Sequence, residues 1–385
     1  MKRDVIYADN AATTPLSPKA LDAMLPYLKN HYANASQPYS FSRDVRKALR
    51  TSREVIANCI GAFPEEIYFT SGGSEGNNWI INGAIEFQTK IITSPIEHHS
   101  ILRSVEHARS KKIDVAILST SSTGVVESES LYNRLTQPLS LVSVMFANNE
   151  IGTIQRVSEL AGITHDRGSL FHTDAVQCIG HLDIDVKALG IDMLTASAHK
   201  FNGPKGIGFI YIKNGLKWPN LIYGGSQEFG LRAGTENIAS IVGMATALNE
   251  NIAGIGEHII HIRELEHALI SRLNKHGVRY VRNGDTSRLP GIISLSFEGY
   301  EGEMILHRMD LMGIMISTGS ACDSKETQVS HVLKAIKLDE TLARGTIRIS
   351  LGPTNTTEEA LFIADALTRI VKDETNVCDC KGKVK

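Results

Sequence analysis

Thr195-Ala-Ser-Ala-His-Lys-Phe-Asn-Gly-Pro-Lys-Gly-Ile-Gly208 decides how this chain is read. A mostly apolar run, residues 191–194, leads into it, and a second apolar run, 207–212, follows. Between them lies a Gly/Pro-rich turn. The pattern predicts strand, loop, strand, with Lys200 at the end of the first strand. A lone lysine in a turn is ordinarily a solvated side chain. At a strand end in an α/β chain it is also a candidate Schiff-base lysine. Burial and neighbouring charge can lower its pKa, so that the free amine attacks an aldehyde. Its company decides between the two readings.

Working outward, apolar runs repeatedly end in polar residues. Glu66-Ile-Tyr-Phe-Thr70 reads as a strand and opens into Ser71-Gly-Gly-Ser-Glu-Gly-Asn-Asn78, with a helix-like stretch over 79–85. Glycines and hydroxyls between strand and helix make an anion site, because free N–H groups and the positive end of the helix dipole face the ligand. No Gly-Lys-Ser/Thr closes it, so it is not a P-loop; a plain strand-to-helix turn remains the alternative. Residues 91–94 form a strand ending at Pro95-Ile-Glu-His-His-Ser100. Paired histidines could bind metal, but no Cys/His/Asp spacing nearby completes a zinc set, and no metal is expected.

Residues 141–146, 169–173 and 192–197 are further strands. They end in Asn148-Asn-Glu-Ile-Gly152, Asp174-Ala-Val-Gln177 and His199-Lys200. Ser74, His98, Asn149, Asp174, Gln177, Ser197 and Lys200 thus follow successive strands, and helical segments such as 157–166 separate several of them. This alternation predicts an α/β fold, a mostly parallel sheet covered by helices on both faces. Ligands bind such sheets beyond the carboxyl ends of the strands, so these residues should converge on one rim.

The flanks fill in the organisation. Residues 6–15 are small, polar and turn-forming. Ser17-Pro18 reads as the cap and first position of a helix toward residue 30. Positions 45, 49, 52, 56 and 60 give an amphipathic helix stopped by Gly61. A Gly-rich loop over 224–237 precedes helices at 238–252 and 256–275, and strands are expected at 289–297, 313–317 and 346–350. Cys322 sits in the small-residue loop Ser317-Thr-Gly-Ser-Ala-Cys-Asp-Ser324, and Thr356-Thr-Glu-Glu359 is a capping box for a last helix. The expected domains are a large cofactor-binding unit, 16–255, and a smaller α+β unit, 1–15 with 256–372, carrying the cysteine loop. Residues 373–385 read as a flexible tail.

Composition excludes several classes. At 385 residues, with 42% hydrophobic and 21% charged side chains, the chain has an ordinary globular make-up. A formal net charge of −2 argues against nucleic acid as a partner. The cysteines (Cys59, Cys178, Cys322, Cys378, Cys380) are odd in number and scattered, unlike a disulfide framework. No signal peptide or membrane-spanning run is legible, so the cytoplasm is the expected compartment.

A Schiff-base lysine, an anion loop and an aspartate after a strand are what pyridoxal phosphate needs. The lysine holds the aldehyde, the loop the phosphate, and the aspartate keeps the pyridinium nitrogen protonated. Cys322 and an arginine for a carboxylate point to amino-acid chemistry in which a thiol attacks the substrate. In this order the chain carries Asn10-Ala-Ala-Thr-Thr-Pro15, Thr70-Ser-Gly-Gly-Ser-Glu75, Glu97-His98, Asn148-Asn-Glu-Ile-Gly152 and Asp174-Ala-Val-Gln177. Ser197-Ala-His-Lys200, Arg232-Ala-Gly-Thr-Glu-Asn237, Gly319-Ser-Ala-Cys322 and Ile347-Arg-Ile-Ser-Leu-Gly352 follow. Together these motifs resemble the cysteine desulfurases, class V enzymes of fold type I that depend on pyridoxal phosphate. The likeness covers about residues 5–372.

The resemblance implies the roles. Lys200 would hold the cofactor and shuttle the Cα proton, and His98 would stack on the ring and assist acid/base steps. Asp174 would pair with the ring nitrogen and Gln177 with the ring hydroxyl. Gly73, Ser74, Ser197 and His199 would hold the phosphate, with Thr235 entering from the other subunit of a homodimer. Asn149 and Arg348 would bind the carboxylate of L-cysteine. The Cys322 thiolate would take the sulfur as a persulfide, leaving L-alanine and passing sulfur to an acceptor protein such as an iron–sulfur scaffold. One departure stands out. The family's Asn-Pro-Ser-Ser-x-His-x-x-Gly is here Asn34-Ala-Ser-Gln-Pro-Tyr-Ser-Phe-Ser42, with Tyr39 for the histidine and Ser42 for the glycine. A selenocysteine lyase on the same scaffold is the nearest rival, and a non-catalytic binding partner the rival of another class.

Overall fold

The computed structural model describes residues 5–136, 139–318 and 329–372. Cys322 with its loop, and Cys378 and Cys380 with their tail, lie outside the described residues. The chain begins with β1 (Ile6–Tyr7), α1 (Pro18–Lys29) and α2 (Arg43–Cys59). It continues through β2 (Ile67–Thr70), α3 (Gly73–Glu86), β3 (Ile91–Thr93), α4 (His99–Ser110), β4 (Val115–Ile117), α5 (Ser128–Arg134), β5 (Leu141–Ser143), α6 (Val157–His165), β6 (Leu170–Asp174), β7 (Met193–Ser197) and β8 (Gly208–Ile212). Next come α7 (Ile238–Ala253), α8 (Ile255–Lys275), β9 (Val281–Arg282), β10 (Ile292–Ser296), α9 (Gly302–Leu311) and β11 (Ile314–Met315). The last elements are α10 (His331–Ala335), α11 (Glu340–Arg344), β12 (Thr346–Ser350) and α12 (Thr357–Lys372).

Seven strands form the main sheet, in the order β2-β8-β7-β6-β5-β3-β4. Neighbours from β7 to β4 pair in parallel; β8 runs antiparallel to both β2 and β7. Successive strand residues go to opposite apolar layers. Ile92, Val142, Leu194 and Phe209 join one core, and Ile91, Leu141, Met193 and Ile210 join the other. Both faces are dry, and this is why the strands read as unbroken apolar runs instead of alternating ones. Each fully buried Ile or Leu contributes roughly 1.5–3 kcal/mol of transfer free energy.

The second sheet has three antiparallel strands, β12-β10-β9. In β12 the side chains alternate: Ile347 and Ile349 pack with Leu265, Leu269, Ile363 and Leu367 from α8 and α12. Thr346, Arg348 and Ser350 point the other way and are buried all the same.

Local signals behave as the sequence predicts in several places. Ser17 Oγ accepts from Ala20 N at 3.4 Å and proline opens α1. Before α12, Glu359 N donates to Thr356 Oγ1 at 3.2 Å while Thr356 N donates to Glu359 Oε2 at 3.1 Å, the reciprocal capping box. The run expected as a strand over 141–146 is regular strand only over Leu141–Ser143, although Val144 N and Phe146 N still donate to the His172 and Asp174 carbonyls beside it, at 3.1 and 2.9 Å. Beyond that, Met145 N turns to the Glu97 carboxylate. In the divergent 34–42 loop, Ser42 replaces glycine with a function of its own. Its hydroxyl shares its one hydrogen between the carbonyls of Gln37 and Tyr39, 2.6 and 2.8 Å away, while Tyr39 is exposed. Among the described residues no single helix is long and apolar enough to cross a membrane.

Candidate active site

β7 ends at Ser197 and tightens into a short 3-10 turn, Ala198–Lys200, before β8 returns beside it. This turn projects Lys200 from the carboxyl end of the sheet. Its Nζ donates to the carbonyls of Ala11 and Ala12, at 2.6 and 2.8 Å. Gln177 Nε2 donates to the same Ala11 carbonyl at 3.0 Å. His199 Nδ1 lies 3.2 Å from Thr13 Oγ1. The small, turn-forming segment after β1 is therefore laid across the strand ends, its carbonyls turned toward the lysine.

The glycine loop differs in detail from its sequence reading. The helix does not wait for Trp79; it starts at Gly73, so the loop is itself the first helical turn. Gly72 adopts φ +150°, and a Cβ on Gly73 would come within 2.7 Å of Val176 Cγ2. The turn can lie this close to β6 and β7 only without side chains. Ser197 Oγ stands 3.5 Å from where a Gly72 Cβ would be. A buried hydroxyl thus faces first-turn N–H groups that have no intrahelical acceptor. Ser74 itself is exposed, with its carbonyl accepting from Asn78.

Asp174 closes β6 and is buried. Its Oδ1 accepts from Val176 N at 3.0 Å and its Oδ2 from Asn77 Nδ2 at 2.6 Å. Burial and the Lys200 and His99 charges hold His98 below the ordinary imidazole pKa, against the pull of Asp174. Lys200, Asp174 and His98 thus share one electrostatic neighbourhood. Burial also depresses His199, aided by Lys200 and Lys205, to about 4. Glu97 is pushed up to about 8 by burial and by Asp174, although Ser94 and Met145 N–H hydrogen bonds oppose the rise.

Arg348 reaches the site from the other sheet. Its Nη1 donates to the Asn149 carbonyl at 2.9 Å and its Nη2 to Asp9 Oδ1 at 2.7 Å. Arg348 Nε is buried with no hydrogen-bond partner. Asp9, Asn77 and Ser100 were not singled out from the sequence. Asp9 stands one residue before the quoted Asn10 motif, and Asn77 lies inside the glycine loop, so position was the only available signal. Thr235 is exposed on the loop before α7, a loop tied to α3 through Arg232 Nε and Glu75 Oε1 at 2.9 Å. Among the described residues no cluster of His, Cys, Asp and Glu has the makings of a metal site.

These residues fit pyridoxal phosphate in kind. The rim offers an amine, a buried carboxylate, a helix start stripped of side chains and an unspent buried guanidinium N–H. The chain matches the class-V aminotransferase family over residues 6–361. It is 43% identical over 374 residues to the cysteine desulfurase IscS of Clostridium botulinum, covering 95% of this chain and 94% of that one. A solved NifS-like protein superposes with a TM-score of 0.90 at 34% identity, over 96% of this chain and 100% of the other. The protein SspA, solved in complex with cysteine, gives 0.78 at 33% identity, over 91% and 100%. The chain belongs to the class-V aminotransferase family, in its cysteine desulfurase branch. It is accordingly a pyridoxal-phosphate enzyme acting on cysteine.

Proposed function

We propose that this cysteine desulfurase works at the rim around Lys200 and passes the sulfur of L-cysteine to Cys322, leaving L-alanine and a persulfide. The Cβ–S bond breaks with its electron pair left on carbon as the sulfur bonds to the Cys322 thiolate; Cβ gains one proton, and Cα regains the one it gave up. What carries the reading is the gathering of an amine and a buried carboxylate at one rim: Lys200 shares the Ala11 carbonyl with Gln177, and Asp174 is joined to His98 through Asn77 and Ser100. Pyridoxal phosphate, when bound, supplies the electron sink that stabilises negative charge at the substrate's Cα.

Each side chain then has its task. Lys200 Nζ would hold the cofactor's aldehyde carbon and carry the Cα proton. Asp174 would hold the ring nitrogen and Gln177 the ring hydroxyl. Gly73, Ser74, Ser197 and His199 would hold the phosphate, together with Thr235 of the partner subunit in a homodimer. Asn149 and Arg348 would bind the substrate carboxylate, with Arg348 Nε as the donor still unspent. The distinct apolar clusters beneath the large sheet and beneath β10 and β12 support a division near residue 255 into a cofactor-binding unit and a smaller unit, with Ala11, Leu289 and Ile292 packing across it. The persulfide would serve an acceptor protein, an iron–sulfur scaffold being the class the reading favours.

The test is product release from L-cysteine with a reductant present, comparing the wild type with Cys322→Ala. Alanine and sulfide from the wild type only, with the cofactor's absorbance kept in the variant, is the expected result. Equal release from both would remove Cys322 as sulfur acceptor and favour a lyase that takes selenocysteine.

A further inference from the structure

A hydrogen-bond chain runs behind the site, from Asp174 to His98. Asn77 is buried in the second turn of α3. One of its amide hydrogens goes to Asp174 Oδ2 at 2.6 Å, the other to Ser100 Oγ at 2.8 Å. The amide is assigned this way round by chemistry, since an ionised carboxylate only accepts. Ser100 Oγ, receiving that hydrogen, turns its own toward His98 Nδ1, 2.8 Å away. Ser100 N also donates to Nδ1, at 3.1 Å, because His98 is the N-cap of α4. Two donors thus aim at one ring nitrogen, and a backbone N–H cannot turn round to accept.

We propose that Asn77 and Ser100 are positioning residues that fix His98 as the tautomer with Nδ1 bare and the proton on Nε2. The inference deepens the proposed function, resting on its placing of His98 at the reacting rim beside Lys200 and Asp174. His98 then meets the substrate as an N–H donor and not as a base at Nε2. Protonating Nδ1 would set a proton against the Ser100 N–H. It would also place a cation at the positive end of α4, the unfavourable end of the helix dipole. The charged and titratable groups around the ring are consistent with this. Lys200 after β7 and His99 on its own helix oppose protonation, and Asp174 on β6 favours it. Glu97 precedes it in sequence, and His331 of α10 lies beyond His99, ring centroids 4.7 Å apart. Asn77 Oδ1 has no hydrogen-bond partner although it is buried. Satisfying the two acceptors Asp174 and Ser100 is therefore what this amide is held for.

The test is 15N NMR of histidine-labelled holoenzyme, with the His98 signals identified by their loss in His98→Gln. The expected wild-type pattern at neutral pH is a bare Nδ1 and a protonated Nε2. Ser100→Ala removes one donor to the neutral ring. The apparent pKa of His98 should then rise by about one pH unit, with some Nδ1–H tautomer appearing. Ser100→Thr keeps the hydroxyl and should keep the wild-type pattern, which separates the hydrogen bond from a packing defect. Asn77→Ala should lower kcat about tenfold with KM nearly unchanged. A wild-type His98 carrying its proton on Nδ1, or charged at neutral pH, would overturn the proposal. So would a Ser100→Ala enzyme with an unshifted His98. The tautomer is read without turnover, so it stands or falls separately from the desulfurase reading.

Discussion

The seven-stranded and the three-stranded sheets both bury their central strands, yet only one is surrounded by chemistry. In the large sheet the neighbours from β7 to β4 run in parallel, and their carboxyl ends open on one rim. Asp174, Ser197 and Lys200 gather there without any strand bending to deliver them. In β12-β10-β9 alternate strands run in opposite directions, so strand ends scatter to both edges. That sheet contributes instead from mid-strand, through the polar side of β12. Arg348 pairs with Asp9, and Ser350 Oγ accepts from Ala11 N at 2.9 Å. A parallel sheet collects function at its ends; an antiparallel one lends a face.

The comparison can be tested at its most unequal point, Arg348, the arginine of β12 that reaches the rim. Arg348→Lys keeps the charge and loses the fork that spans Asp9 and the Asn149 carbonyl. A fall in kcat/KM of about a hundredfold, mostly in KM, is expected from steady-state kinetics. An unchanged KM would mean that the second sheet lends no substrate contact. On the large sheet, Gly76→Ala probes how tightly α3 lies on the strands. Its new Cβ would meet Ile210 Cγ2 at 2.6 Å and Thr195 Cγ2 at 2.8 Å. A loss of about 1–3 kcal/mol in denaturant unfolding follows if the sheet is as closed as described. The same stability within error would show a looser interface.

A smaller and subtler effect belongs to Glu97, at the rim. Its folded pKa, about 8, lies above the unfolded carboxyl value. Between about pH 5 and about pH 8 the folded chain therefore holds more protons than the unfolded one, and stability falls as pH rises, by up to about 1.4 kcal/mol per pH unit. Glu97→Gln removes this contribution. Urea midpoints of the variant should decline less steeply over that window than those of the wild type. Parallel curves would mean that Glu97 is ionised throughout.

The sequence was most legible where backbone direction did the work. Apolar runs ending in Asp174, Ser197 and Lys200 were enough to predict a parallel sheet with a polar rim, because strand polarity alone decides where those ends go. It was least legible where one side chain orients another. Nothing in the local pattern says that Asp9 faces Arg348, 339 residues away in sequence. Nothing says that Asn77 bridges Asp174 and Ser100. The paired histidines at 98 and 99 read as a strand end; in the folded chain His98 is instead a helix cap, since Ser100 N needs an acceptor. The start of α3, at Gly73, differs from the sequence pattern for a related reason. Glycine is a poor helix former, and here it is used because the helix must begin against β6 and β7.

Lys200 is the residue to which the cofactor is expected to be attached. Reducing the purified yellow enzyme with borohydride fixes the cofactor to whichever amine holds its aldehyde, and peptide mass mapping then locates it. The added mass is expected on the peptide containing Lys200, and is expected to be absent in Lys200→Ala. Modification of a different lysine, or of none, would contradict it.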